Sequence, residues 1–290
     1  MTNEKKGEIF MVTNALFESW FPIIILFTYS YLTPIFTYSF NIGIASIFFI
    51  ILIIARKKFY EFKNKEAYKD LLLTTFFITL LFLFMFLGLQ YTTATNTAVI
   101  IFMQLFFSFL YFNLIGKEYI SKKHILGATM MAAGAIIILF PDDLILNKGD
   151  LLVLIAAMIA PFANYYQKRA RKYLCVENIL AFRYMASLPF LLFFAYMFEP
   201  TPMSSNILNA LPYLLISGLL VFGIAKIFWI EAIYRIPITK ASALAAFMPV
   251  FTMFFAFLLL DEVPTLEQVL AIVPIVVGGY LITRKPMPMA

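Results

Sequence analysis

Apolar residues dominate ten stretches of this chain, residues 9–29, 34–55, 70–90, 94–114, 122–140, 150–167, 176–198, 210–233, 239–260 and 266–283, and charged residues gather in the gaps between them. A helix needs roughly 20 mostly apolar residues to cross a hydrocarbon core about 30 Å thick. The pattern therefore predicts ten membrane-spanning helices. Pro34, Pro141, Pro200, Pro202, Pro237 and Pro264 fall in the gaps, where a ring without an N–H costs least. Pro22, Pro161, Pro189, Pro212, Pro249 and Pro274 fall inside runs and predict kinks or loosened turns there.

The pattern also repeats. Lys6-Gly7-Glu8-Ile9 returns 142 residues later as Lys148-Gly149-Asp150-Leu151, and an apolar run follows each copy. At the same offset Ala15 matches Ala157 and Phe40 matches Phe182, while Asn41 stands opposite Arg183. Further along, Tyr91 matches Tyr234, Phe107 matches Phe251, Leu114 matches Leu258, Glu118 matches Glu262, Leu126 matches Leu270 and Gly134 matches Gly278. Their order along the chain is the argument: residues 1–141 and 142–290 are two five-helix repeats. Five is odd, so the second repeat enters the membrane from the opposite face. An inverted pair of this kind surrounds a central cavity that can open alternately to each side.

Composition agrees with the bilayer as solvent, since 63% of residues are hydrophobic and only 13% are charged. Placement of the basic residues orients the helices. With the N-terminus cytoplasmic, Lys5, Lys6, the six basic residues from Arg56 to Lys69, Lys117, Lys122, Lys123, the four from Lys168 to Lys172, Arg235, Lys240, Arg284 and Lys285 all fall inside, which is 19 of 22. Only Lys148 falls outside, and Arg183 and Lys226 lie within spans. The expected location is the plasma (inner) membrane with both termini cytoplasmic. The net charge of +6 thus reflects loop anchoring rather than a nucleic-acid surface. Lys5 and Lys6 precede an apolar stretch as in a secretory signal, but Asn14, Glu18 and Trp20 within it favour a retained first helix. The lone Cys175 rules out a disulfide framework within the chain.

Several stretches resemble a known family. Leu89-Gln90-Tyr91, Gly116-Lys117-Glu118 with Gly127 and Gly134, Ala232-Ile233-Tyr234-Arg235-Ile236-Pro237, and Met248-Pro249-Val250-Phe251 with Leu260-Asp261-Glu262 are similar to the drug/metabolite transporter superfamily, specifically its EamA-type permeases. The resemblance implies a small-molecule permease whose cavity is lined by helices 1, 3, 4, 6, 8 and 9. This chain departs from many relatives at Glu18-Ser19-Trp20, where a Trp-Gly pair is common, and at Asn41, where Arg is common.

Candidate transport residues are the polar groups inside the spans. Glu18 sits about 14 Å along the first helix, near the bilayer midplane, where a bare carboxylate costs about 2.5 to 3.5 kcal/mol. It therefore faces the cavity, pairs with a cation or carries a proton. Asn14, four residues earlier, is placed to hold it. Lys226 lies at a similar depth, roughly 10 Å from its helix end, and either pairs with Glu18 across the bundle or snorkels to the headgroups. Arg183 is weighed as a transport residue against a helix anchor, and Glu231 as a transport residue against a simple partner of Arg235 four residues on. Thr93, Thr97, Gln104, Ser108 and Tyr111 form one polar stripe on the fourth helix. Asn164 and Tyr165 stand one turn beyond Ala160, the repeat counterpart of Glu18. Trp20 and Trp229 offer faces for stacking on an aromatic or cationic solute, or simply pack. On the ninth helix Ala241, Ala245, Pro249, Thr252 and Ala256 form a small-residue side suited to close packing, either within one chain or in a homodimer.

The expected activity is secondary transport of a small polar or zwitterionic metabolite, an amino acid or related compound, with a proton as a candidate coupling ion. No cofactor or metal is expected. The competing classes are a lipid-handling or non-transporting membrane receptor and an intramembrane enzyme. The latter would have to work with one histidine, His124, at a helix start beside Lys122 and Lys123.

Overall fold

The computed structural model describes residues 2–116, 122–139, 147–245 and 247–283. Lys117, Glu118, Pro141, Arg284, Lys285 and the 141/142 boundary lie outside the described residues, as does the side chain of His124. Among these described residues ten apolar helices follow one another. They are α1 (Asn3–Glu18 and Phe21–Thr28), α2 (Pro34–Arg56), α3 (Ala67–Leu89), α4 (Ala94–Phe102 and Gln104–Gly116), α5 (Lys122–Leu139), α6 (Lys148–Ala170), α7 (Val176–Phe198), α8 (Ser204–Arg235), α9 (Ile238–Leu244 and Phe247–Leu260) and α10 (Leu266–Thr283). Seven of them are long and apolar enough to cross a membrane, and α5, α9 and α10 contribute shorter apolar segments. Helices α1 and α8 begin about six residues earlier than hydropathy predicts, because a helix keeps its hydrogen bonds after it leaves the hydrocarbon and polar side chains there cost it nothing.

The two halves interlock by a simple rule. Across the halves α2 packs on α7, α4 on α9 and α5 on α10, while α1 packs on α8 and α3 on α6. Advancing every helix number by five maps this set onto itself, with α1·α8 and α6·α3 exchanged. The packing therefore has the two-fold pseudo-symmetry expected of inverted repeats.

The glycines of the repeated sequence sit at equivalent points of that packing. A Cβ on Gly149 would lie 2.6 Å from the Gly88 carbonyl oxygen at the α3–α6 crossing, and one on Gly7 would lie 2.9 Å from Ile236 at the α1–α8 crossing. No side chain fits at Gly149 without moving backbone. Carboxylates staple the helix starts in the same reciprocal way. Glu199, just past α7, accepts from the Ile35 and Phe36 N–H groups of α2 at 2.9 and 3.0 Å. Glu61, just past α2, accepts from the Cys175 N–H that opens α7 at 2.6 Å. Each supplies an acceptor to N–H groups that have no partner within the helix, at its positive dipole end.

Candidate functional site

Helices are interrupted in corresponding and non-corresponding places, and the interruptions converge. Helix α1 breaks immediately after Glu18, because Pro22 has no N–H to return to the Glu18 carbonyl. Helix α9 breaks near Ala245 for the same reason, with Pro249 four residues on, and the Met248 N–H closes a tighter turn to the Ala245 carbonyl at 2.9 Å. Its repeat counterpart α4 breaks at Met103, whose N–H turns to Ile100 at 2.9 Å without help from a proline. The Thr252 hydroxyl of α9 donates to the Ser19 carbonyl at the α1 break, at 3.0 Å. Helix α8 passes through a π-helical stretch, Ser217–Ala225, that ends at Lys226. The Tyr184 hydroxyl donates to the Phe222 carbonyl of that stretch at 2.6 Å. Interruptions of these kinds leave backbone polar groups that only side chains, water or a ligand can satisfy, so they occur beside cavities.

Such a cavity lies between them. Its free space, counted out through the mouth and including the open solvent there, is about 770 Å³. Helices α1, α3, α4, α6, α7, α8 and α9 supply the wall. Glu18 and Lys226 meet in it as an ion pair that bridges the α1 break and the end of the π-helical stretch. Lys226 also lies 4.6 Å from the centroid of the Phe82 ring, so its ammonium is held by a carboxylate and an aromatic face. Both partners are largely buried, which rules out snorkelling for Lys226.

A second polar chain crosses the cavity. Trp229 Nε1 donates to Asn164 Oδ1 at 3.0 Å, and Asn164 Nδ2 donates to Gln104 Oε1 at 3.4 Å, joining α8, α6 and α4. One turn along α6 from Asn164, Gln167 accepts from the Arg183 guanidinium of α7. Thr97 and Thr252 complete the polar lining, while Phe21, Ile78, Leu81, Phe82, Met85, Ile101 and Met248 make the rest of the wall apolar.

Six of the residues singled out from the sequence thus share one space: Glu18, Thr97, Gln104, Asn164, Lys226 and Trp229. Three do not line it. Asn14 is buried, its Oδ1 has no hydrogen-bond partner among the described residues, and Glu18 is taken by Lys226 instead. Trp20 packs on Phe255 with ring centroids 4.4 Å apart. Tyr165 accepts from Arg169 at 3.2 Å and is partly exposed, because one residue along a helix rotates a side chain by about 100° away from Asn164. On the polar stripe of α4, Thr93 caps the helix start, Ser108 is buried away from the cavity and Tyr111 packs on Phe162, so only Thr97 and Gln104 reach the cavity. Glu231 pairs with Arg235 as expected, and also with Arg171, just past the end of α6, at 2.7 Å.

Arg183, weighed as an anchor, and Gln167, which sequence reasoning passed over, are lining residues. The signal for Gln167 was present in its three-residue spacing from Asn164 on one face of α6. Asn41, the repeat counterpart of Arg183, is buried and accepts from Ser217 at the start of the π-helical stretch, so it works in packing.

Comparison with known proteins bears on the family and the fold. The model of the EamA-like transporter family matches the chain twice, over residues 5–140 and 147–284. The chain is 28% identical over 242 residues to the uncharacterized transporter YoaV of Bacillus subtilis, covering 81% of this chain and 82% of that protein. An uncharacterized transporter of Archaeoglobus fulgidus is 28% identical over 217 residues, 72% of this chain and 73% of its own length. A solved crystal structure superposes with a TM-score of 0.71 over 97% of both chains at 16% identity, which speaks to the fold alone.

Proposed function

Because this chain belongs to the EamA-like transporter family, we propose that it is a secondary carrier that moves a small polar or zwitterionic metabolite, an amino acid or related compound, by alternating access. The repeats 1–141 and 142–290 are its two moving units, and Glu18 is the group through which a proton couples. In this reading it sits in the plasma membrane with both termini cytoplasmic.

The observation that carries the reading is the Glu18–Lys226 ion pair inside a cavity between interrupted helices of both halves. A buried ion pair stabilises weakly, because desolvation offsets most of the attraction, but breaking it by losing one partner costs several kcal/mol. A solute with its own charges, or a proton on Glu18, changes that balance where the two halves meet. The pair links α1 to α8, so whatever releases it loosens a contact between the repeats. That is the coupling between occupancy and conformation that a carrier needs.

Reconstitution in liposomes with a panel of labelled metabolites, with and without a proton gradient, tests this. Uptake that responds to the gradient and falls roughly tenfold or more in Glu18→Gln is expected. Unchanged uptake and pH dependence in that variant would remove Glu18 from the mechanism.

A further inference from the structure

The charges inside the cavity do not balance. Three ionisable side chains line it, one acid (Glu18) and two bases (Arg183 and Lys226). Glu18 is already engaged by Lys226. Arg183 is 3% exposed and lies roughly 10 Å along α7. Its hydrogen-bond partner is the neutral Gln167 side chain, and its guanidinium lies 5.4 Å from the Tyr184 ring centroid. Among the described residues no carboxylate comes within ion-pair distance of it. Glu18 acts on Arg183 only through space and is already held by Lys226, so at contact distance the protein offers this buried cation a neutral oxygen and an aromatic face, a costly arrangement in a membrane.

We infer that the solute this cavity takes is a small organic monoanion, with its carboxylate on the Arg183 guanidinium beside Lys226 and its apolar body against Phe82, Met85, Ile101 and Met248. One added negative charge brings the site to neutrality. A zwitterion does not, since its own amine restores the surplus and the one carboxylate that would receive that amine is held by Lys226. Guanidinium geometry suits the role: one donor is spent on Gln167, and the planar fork has others to give to both oxygens of a carboxylate. Tyr184, fixed by its bond to Phe222, keeps the group in place. The arriving anion also competes with Glu18 for Lys226, which gives the ion pair a reason to open when the site fills. The inference narrows the carrier reading from polar or zwitterionic solutes to a monoanion, and it rests on that reading for passage of the anion, though not for its binding.

The test is a charge series of one shape, offered to the full-length protein in nanodiscs. The probes are 3-phenylpropionate, phenylalanine, 3-phenylpropionamide and 3-phenylpropylamine, with isovalerate and isovaleramide as a smaller pair. Trp229 lines the cavity and is one of two tryptophans, so its fluorescence reports occupancy, with the thermal midpoint as a second measure. At least one carboxylate is expected to bind about tenfold or more tightly than its amide and than the zwitterion, and the amine most weakly. Arg183→Gln is expected to remove that preference, and Arg183→Lys, which keeps the charge but not the fork, to retain part of it.

An arginine that merely ties α7 to α6 would lower the thermal midpoint in Arg183→Gln and leave the order of the probes unchanged, which overturns the inference. Equal or tighter binding of amide or amine by the unaltered protein also overturns it, as does failure of both carboxylates to bind at millimolar concentration. These outcomes stand even if Arg183→Gln does not fold. Carboxylate binding without flux in proteoliposomes would sink the carrier reading and leave this one. Flux of a neutral or cationic solute that carboxylates do not inhibit would do the reverse.

Discussion

The ends of the helices and their middles obey different rules in this molecule. At one end Glu8 of α1 pairs with Lys240, the third residue of α9, at 2.6 Å. At the opposite end Asp150 of α6 accepts from Asn96, the third residue of α4, at 3.2 Å, and also from Thr92. Glu8 and Asp150 are repeat counterparts, and each lies beside a glycine that lets its helix crossing close. In the middle the correspondence stops. Glu18 faces its counterpart Ala160, Arg183 its counterpart Asn41, and α8 carries a π-helical stretch where α3 is unbroken. The scaffold is built by symmetry, and the chemistry sits where the symmetry fails.

Breaking the asymmetric centre should have the largest effect on stability. Lys226→Met strands Glu18 in a largely apolar space and is expected to cost about 3 to 5 kcal/mol, whereas adding Glu18→Leu should recover most of that loss, because an apolar pair of similar volume is well tolerated there. Thermal midpoints of the single and double variants in one detergent check this; a double variant no better than the single would mean the pair is not the unit it appears in the structure.

The glycine pair should show how closely the two scaffold ends match. Gly149→Ala pushes a methyl against backbone atoms of Gly88, Tyr91 and Thr92, while Gly7→Ala meets side-chain atoms of Ile236 and Arg235 first. The expected costs are about 2 to 3 kcal/mol at Gly149 and about 1 kcal/mol at Gly7, because side chains yield more readily than backbone. Equal costs would show that both crossings relax alike.

The polar latches should differ least. Asp150 is 3% exposed, so Asp150→Ala leaves Thr92 and Asn96 short of an acceptor and should cost about 1 to 3 kcal/mol. Glu8→Gln at the half-exposed Lys240 pair should cost less than about 1 kcal/mol and less still in high salt. A large, salt-insensitive loss at Glu8 would place that end in a drier setting than its exposure indicates.

Much of the fold was legible because its cues are local. Run length sets the ten helices, and the echo of Lys6-Gly7-Glu8 in Lys148-Gly149-Asp150 marks the second half. The carboxylate in α1 and the lysine in α8 stood out for a related reason: an ionised group in a span is rare enough to be noticed and must find a partner. Legibility ended at side-chain direction. Asn164 and Tyr165 are adjacent in sequence, yet only Asn164 reaches the cavity, and Trp20 was spent on Phe255.

By itself, then, the sequence determined the solvent, the helices, their duplication and the candidate pair Glu18 and Lys226, since hydrophobic length and desolvation cost are properties of a segment wherever it packs. Only the tertiary structure decided that α1 and α9 break where prolines withhold an N–H, that α4 breaks without one, and that a π-helical stretch precedes Lys226. It alone moved Arg183 from helix anchor to cavity wall. That decision depends on groups that folding brings in from both halves, from Gln167, 16 residues away on α6, to Glu18 in the first repeat.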